Sequence, residues 1–403
     1  MDKNLKTRKI KDGILNAITY VFSSFGMVIL ILLIAFIFKN GVKNLSWKML
    51  TSDYFETPYF ATCEVTSTTN FHLENKTDVF YSKVWGIGLK NSKDLSNHDV
   101  IEIVYIDNLS PFKNAKDKSK GTHLEVKEGQ VIKRIQIENK DGTISVVTPK
   151  YKAEGIALAL DNGIKVREFY YSTIGGGIRG SLLTTIYLII LTLLIALPIG
   201  ILAAIYLAQY APQNKFTNLI RSFIDMTSGI PSIIFGLMGM IIFIPIVSKI
   251  TNTSGGSIIS GALTLSVMLL PIIIRTTEEA IHSIPKDYTS ASLALGASET
   301  QTTFKVILPN AIPGILTATL LSIGRIIGES AALIFAIGTA IKDKILLTGS
   351  STSLAVHIWT VISGENPNFE HACAISIVIL LVVFILNIFV KLISKKINRY
   401  EVK

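Results

Sequence analysis

Six apolar runs, each twenty residues or longer, restrict the fold of this chain more than any other feature. A helix rises about 1.5 Å per residue, so roughly 20 residues cross the hydrocarbon layer of a bilayer. The runs are 13–38, 180–214, 226–248, 250–274, 306–341 and 371–390. The first follows a basic leader of Lys3, Lys6, Arg8, Lys9 and Lys11. It exceeds the roughly 7–15 apolar residues of a signal peptide and lacks a small-residue cleavage site, so it is expected to be an uncleaved anchor. The fifth run is interrupted by Arg325 and Glu329. The expectation is an all-α polytopic membrane protein with six transmembrane helices, and a purely cytoplasmic enzyme does not fit.

Charge divides the chain further. Residues 39–177 hold 36 of the 68 charged side chains. This block contributes only +2 to the net charge of +10, so most of the basic excess flanks the apolar runs. Membrane lipid, not nucleic acid, is the partner such a pattern implies. Short cytoplasmic flanks accumulate Lys and Arg. With six crossings and the N-terminus inside, fourteen basic residues fall on the inner flanks and three, Lys249, Lys342 and Lys344, in the short outer loops. The expected organisation is a cytoplasmic basic N-terminus (1–12), a first span (13–38), an extracytoplasmic insert (39–177), a core with spans two to six (178–393) containing a cytoplasmic loop (281–309), and a basic cytoplasmic tail (394–403). Both termini are expected in the cytoplasm.

The insert, about 139 residues, is long enough for its own core. Alternation over 100–106, and over 131–137 and 143–147 about an Asp-Gly turn, predicts strands and a hairpin in an α+β or all-β module. His72, His98 and His123 are scattered and predict no metal site. Cys63 and Cys373 have neither the number nor the spacing of a cluster. No Gly-x4-Gly-Lys-[Ser/Thr] loop occurs, so this chain is expected not to hydrolyse ATP. The glycines 175–177 precede a span and are expected to make a flexible membrane entry.

Between the fourth and fifth runs lies Ser290-Ala291-Ser292-Leu293-Ala294-Leu295-Gly296, followed after nine residues by Val306-Ile307-Leu308-Pro309. Small residues let a helix sit close to another protein, Gly296 ends it, and Pro309 starts the next helix. This segment resembles the cytoplasmic coupling loop of ABC-importer permeases, with Ser290 for Glu, Ser292 for Ala and Val306 for Ile. Leu197-Pro198-Ile199-Gly200, Ala204-Ile205-Tyr206-Leu207-Ala208, Gly229-Ile230-Pro231-Ser232-Ile233-Ile234-Phe235-Gly236-Leu237 and Ile323-Gly324-Arg325-Ile326-Ile327-Gly328-Glu329-Ser330-Ala331 narrow the resemblance to PstA-type permeases of phosphate importers, with the MetI-like fold, over roughly 175–393. The insert departs from that pattern.

A charge at membrane depth costs roughly 2.5–3.5 kcal/mol on insertion scales and is expected to face a pathway or a partner. Arg325 lies 16 residues beyond Pro309, and Arg275 closes the fourth run. Guanidinium groups suit phosphate oxygens and keep their charge. Glu329 follows Arg325 by one turn, and Glu278 and Glu279 follow Arg275 by three and four residues. Each arginine is thus either a substrate contact, with Arg275, Arg325, Glu329 and Glu278 as the site, or a neutralised strut between helices. Asp225 is expected to cap the third span. The coupling residues are Ser290, Ala291, Ser292, Gly296, Leu308 and Pro309.

The resemblance implies a non-enzymatic phosphate permease in a bacterial inner membrane. It implies a second PstC-like permease, two PstB-like ATPases carrying ATP-Mg, and an outer PstS-like phosphate-binding protein; this chain itself is expected to hold no cofactor and no metal. An importer of sulfate, molybdate or phosphonate remains open. So do an FtsX-like signal relay, which typically has four spans, and a secondary transporter.

Overall fold

The computed structural model describes residues 2–64, 71, 78–94, 99–364 and 367–397. His72, His98, Arg399 and Lys403 lie outside them. The chain opens with α1 (Asp2–Gly41), a continuous helix whose apolar stretch buries no residue among the described residues. Only its end is packed: a methyl group on Gly41 would lie 2.7 Å from the backbone of Cys373. Cys373 is accordingly buried and unpaired. The short helix α2 (Trp47–Thr51), capped by Ser46 Oγ accepting from Met49 N–H at 3.2 Å, leads into the insert.

The insert contains β1 (Pro58–Glu64), β2 (Phe80–Ser82), β3 (Ile87–Lys93), β4 (Asp99–Ile106), β5 (Lys116–Asp117), β6 (Val131–Asn139), β7 (Ile144–Val147), α3 (Lys152–Asp161) and β8 (Gly163–Ser172). The strands form one sheet in the order β2-β3-β4-β6-β8-β1-β5, with β7 paired to β6, and every pairing is antiparallel. One face is apolar and is closed by α3, whose Ala153, Ile156 and Leu160 pack with Trp85, Ile135 and Phe169. The Trp85 indole donates to Leu160 O at 2.8 Å, so its ring nitrogen is satisfied inside that core. The insert is therefore α+β. The expected hairpin is β6–β7, where Asn139 N–H donates to Thr143 O at 2.9 Å and Gly142 takes a φ of +80° that suits glycine.

The glycines before the core form a rigid joint, contrary to the flexible entry expected. Gly176 N–H donates to Tyr54 O at 2.8 Å and Gly177 N–H to Asp53 O at 3.0 Å. A methyl group on Gly177 would lie 1.9 Å from Ser52 O, so two backbones lie flush there. Glycine serves close approach here and not looseness.

The core begins with α4 (Arg179–Ile205), extended by a π-helical turn over Tyr206–Tyr210. The amphipathic α5 (Lys215–Ser228) follows. One span is assembled from α6 (Ser232–Met238), a π turn over Gly239–Phe243 and α7 (Ile244–Thr251). Then come α8 (Ile258–His282), α9 (Lys286–Ala294) and α10 (Glu299–Thr302). A π turn over Thr303–Ile307 carries α10 directly into α11 (Leu308–Gly328). The chain ends with α12 (Ala331–Ala336), α13 (Leu354–Ser363) and α14 (Phe369–Ile397). Among the described residues, six helices are long and apolar enough to cross a membrane: Lys11–Asn44, Arg179–Tyr210, Ser232–Thr251, Ile258–His282, Glu299–Gly328 and Phe369–Ser394.

Two boundaries differ from those expected. Residues 226–228 finish α5, and the third span starts only after Pro231, which cannot donate into a preceding turn. The fourth starts at Ile258 on a Ser257–Ser260 capping box and runs seven residues past Arg275, because Arg275 and the two glutamates after it find charged partners on the helix sides. The centre of the core is α8. Its Leu265, Leu269 and Ile273 pack with Leu188 and Ala196 of α4 and with Ile326 and Ile327 of α11.

Candidate functional site: two arginines and an exposed helix

Helices α8 and α11 run antiparallel and touch where a methyl group on Gly314 would meet Ala280 Cβ at 2.1 Å. From that level Arg275 lies five residues along α8 and Arg325 eleven along α11. At about 1.5 Å per residue, Arg325 sits roughly 9 Å farther along the bundle, toward the insert. Both side chains are half-exposed, at 52% and 49%.

Their surroundings differ. Arg275 Nη1 donates to Asp225 Oδ1 at 2.6 Å, and its Nε donates to Glu279 Oε1 at 3.1 Å. Two carboxylates thus tie it to α5 and to its own helix. Asp225 stands in the last turn of α5 as this partner and does not cap the third span. Glu278 is turned away from Arg275: its Oε1 accepts from Arg221 Nε at 2.9 Å, and Arg221 Nη2 donates to Leu207 O at 2.8 Å. Buried Glu278 therefore joins α5, α8 and the end of α4. Arg221 was legible only as an inner-flank basic residue, because its partner is 57 positions away.

Arg325 has one carboxylate, Glu329 Oε2, at 3.6 Å from its Nε, beyond hydrogen-bond length. Its guanidinium donates no hydrogen bond among the described residues. The helix stops there because Glu329 turns extended, with ψ at 121°. Glu329 is buried, and its Oε1 accepts from Ala332 N–H at 3.1 Å, tying down the start of α12. The break expected from the sequence is thus a helix end fixed by the same carboxylate that faces Arg325. Thr317, Leu321, Gly324, Arg325 and Gly328 share an uncovered side of α11, and methyl groups on Gly324 or Gly328 would meet nothing within 4 Å.

At the opposite end, α9 buries no residue. Ser290 and Ala291 are exposed on it, while Ser292 Oγ lies 2.8 Å from Thr302 Oγ1 and pins it to α10. Gly296 has a φ of +85°, which allows the reversal into α10, itself closed by a Ser298–Gln301 capping box. Tyr288, Leu293 and Leu295 are left exposed, Leu295 by 90%. Leu308 is half-buried and Pro309 exposed in the first turn of α11, one π turn later than the helix itself begins.

Sequence reasoning missed a third polar group. Ser181, Thr184, Ser351, Thr352, His357 and His371 are all buried between α4, α13 and α14. Ser181 Oγ lies 2.9 Å from His357 Nδ1, and Thr184 Oγ1 lies 2.7 Å from Ser351 Oγ. The hydroxyl runs 184–185 and 351–353 were its only trace in the sequence. The Tyr54 ring packs edge-on against His357, and burial raises its phenol above the ordinary range.

Comparison with known proteins identifies the family. Residues 196–399 match the family described as binding-protein-dependent transport system inner membrane component. A Bacillus subtilis (strain 168) protein named as a probable ABC transporter permease, YqgI, is 38% identical over 230 residues, 52% of this chain and 76% of that protein. The phosphate transport system permease protein PstA of Haemophilus influenzae is 34% identical over 221 residues, 54% of this chain and 75% of that protein. A MetNI methionine ABC transporter structure in an inward-facing conformation covers 55% of this chain and 95% of its own at 24% identity and a TM-score of 0.43. The chain belongs to the binding-protein-dependent inner-membrane component family, the non-enzymatic permease subunits of ABC importers.

Proposed function

We propose that the translocated substrate is inorganic phosphate and that Arg325 is its principal contact in this chain. The observation that carries this reading is a half-exposed guanidinium with unused donors inside a 30-residue apolar helix, beside two glycines that leave room for a ligand. Arginine presents a planar fork to a tetrahedral oxyanion and stays charged. Glu329 orients it and accepts from a protonated phosphate oxygen, which disfavours sulfate. Arg275 lies about 9 Å nearer the inner end and is a second contact once Asp225 or Glu279 releases it. Glu278 acts through Arg221 as a strut for α5. Relatives named as phosphate permeases support the choice of phosphate over other oxyanions.

The uncovered side of α11 receives a second, PstC-like permease. Helix α9, with Leu308 and Pro309 behind it, receives PstB-like ATPases that bind ATP-Mg, and a PstS-like protein delivers phosphate from outside. Both termini are cytoplasmic. The test is phosphate uptake into proteoliposomes holding all partners: Arg325→Gln abolishes it and Arg325→Lys lowers it. Uptake by Arg325→Gln at parental rate and affinity overturns the reading.

A further inference from the structure

At the far end of the insert's sheet, away from the membrane joint, β6, β8, β1 and β5 frame an open groove of about 840 Å³. Pairing places Pro58 opposite Ser172 at the joint and Glu64 opposite Lys165 at the other end. Six residues of strand at roughly 3.3 Å each set the groove about 20 Å from the joint, outside any translocation pathway. Its basic lining is Lys116, Lys118, Lys165 and Arg167, with Glu64 the one carboxylate among the described lining residues; Thr62, Asn114 and Gln136 add neutral donors.

These cations are only partly engaged. Lys165 pairs with Glu64, and Lys118 shares Glu168 with Arg134. Arg167 uses its Nε on Glu138 at 2.8 Å, leaving both Nη groups. The Lys116 ammonium makes no ion pair among the described residues. The exposed Lys165–Glu64 and Arg167–Glu138 pairs contribute little and exchange readily with an incoming anion, while Lys118 stays tied to the buried Glu168 carboxylate. A single phosphate fills a small part of such a volume, since pockets of roughly 300–1,000 Å³ hold drug-sized ligands. The cations come from β5 and the residue after it and from β8, two strands on either side of β1, so they are spread across the groove and not gathered at one point.

We propose that this groove binds a linear anion carrying several phosphate groups, with Lys116 and Arg167 as its main contacts. This site is separate from the substrate contact at Arg325 and does not depend on what the core transports. Arg167 takes one phosphate through its free fork, and the lysines on either side take the next as point charges.

The experiment is titration of the full chain in nanodiscs of neutral lipid with sodium tripolyphosphate, with inorganic phosphate and a glutamate oligomer of equal charge as comparators. Tripolyphosphate is expected to bind at least about tenfold tighter than either, with affinity falling linearly in log salt. Lys116→Gln with Arg167→Gln is expected to weaken it by about tenfold or more while the thermal unfolding of the insert is kept, and Lys116→Glu alone to weaken it further than Lys116→Gln. Arg325→Gln is expected to bind tripolyphosphate as the parent does, so failure of the groove and failure of the transport reading are seen apart. Absent binding, equal binding of the glutamate oligomer or of inorganic phosphate, or undiminished binding by folded groove variants overturns the proposal.

Discussion

Asp343 Oδ1 lies 2.6 Å from the backbone nitrogen of Tyr54, and its Oδ2 accepts from Phe55 N–H at 3.1 Å. One carboxylate of a core loop thereby holds the bend that leads into β1. Arg179 at the head of α4 pairs with Asp53 at 2.5 Å, and a methyl group on Gly180 would lie 2.1 Å from Lys342 O. Hydrogen bonds to a charged acceptor contribute about 1.5–3 kcal/mol each. Asp343→Ala is expected to speed amide hydrogen exchange over 53–57 by at least about tenfold, with exchange in α8 unchanged. Equal exchange in parent and variant refutes the joint.

Glu329 has two tasks that substitution separates. Glu329→Gln keeps an oxygen for Ala332 N–H and loses the charge facing Arg325. Glu329→Ala loses both, and the lost helix-start contact costs about 1 kcal/mol. Thermal unfolding is expected to follow parent, then Gln, then Ala, while phosphate uptake is low in both variants. Full uptake by Glu329→Gln shows that the charge is dispensable.

The buried Glu168 carboxylate of the insert accepts from Lys118 and Arg134, in that order of effect, and is held below the ordinary carboxylate range. A lowered folded pKa contributes stability that is present above the unfolded value and lost as pH falls through the folded one. Glu168→Gln is expected to destabilise the insert by about 1–2 kcal/mol at pH 7. The gap between parent and variant should close progressively below the ordinary carboxylate range of about pH 4.5, read from the fluorescence of buried Trp85. A gap that stays constant to pH 2 contradicts the pairing.

Leu295 is nine-tenths exposed, so Leu295→Asp leaves the fold of this chain intact. It is expected to lower substrate-stimulated ATP hydrolysis in the full assembly by at least about fivefold, since an apolar anchor in an interface carries 1–2 kcal/mol or more. Gly296→Val, at a φ of +85°, strains the reversal itself and is expected to destabilise α9 as well. Undiminished hydrolysis by Leu295→Asp removes α9 from the coupling surface.

The spans were legible because apolar length is a coarse signal that survives errors of several residues. The ends were not. Residues 250–251 look continuous with the fourth run, yet they finish α7, because Asn252 adopts a left-handed turn and Ser257 supplies a cap. The arginines were legible as costly charges, but their partners were not. Asp225 is 50 positions from Arg275, and Glu278, only three away, points to Arg221 instead. Helical spacing admits both neighbouring glutamates, and tertiary packing decides between them. In the insert, alternation gave β4 and the β6–β7 hairpin. The edge strand β5, two residues long, is too short to leave a pattern, and it is the strand that brings Lys116 to the groove.

The insert leaves the sheet beside the strand by which it enters, with Pro58 opposite Ser172. Loop closure over so small a gap costs little, growing only as the logarithm of length. The whole block is therefore a cassette: a short bridge between Thr57 and Thr173 restores chain continuity without asking α2 or α4 to move. Excision of residues 58–172 at that neck is expected to leave the bundle beneath it with its helix register unchanged.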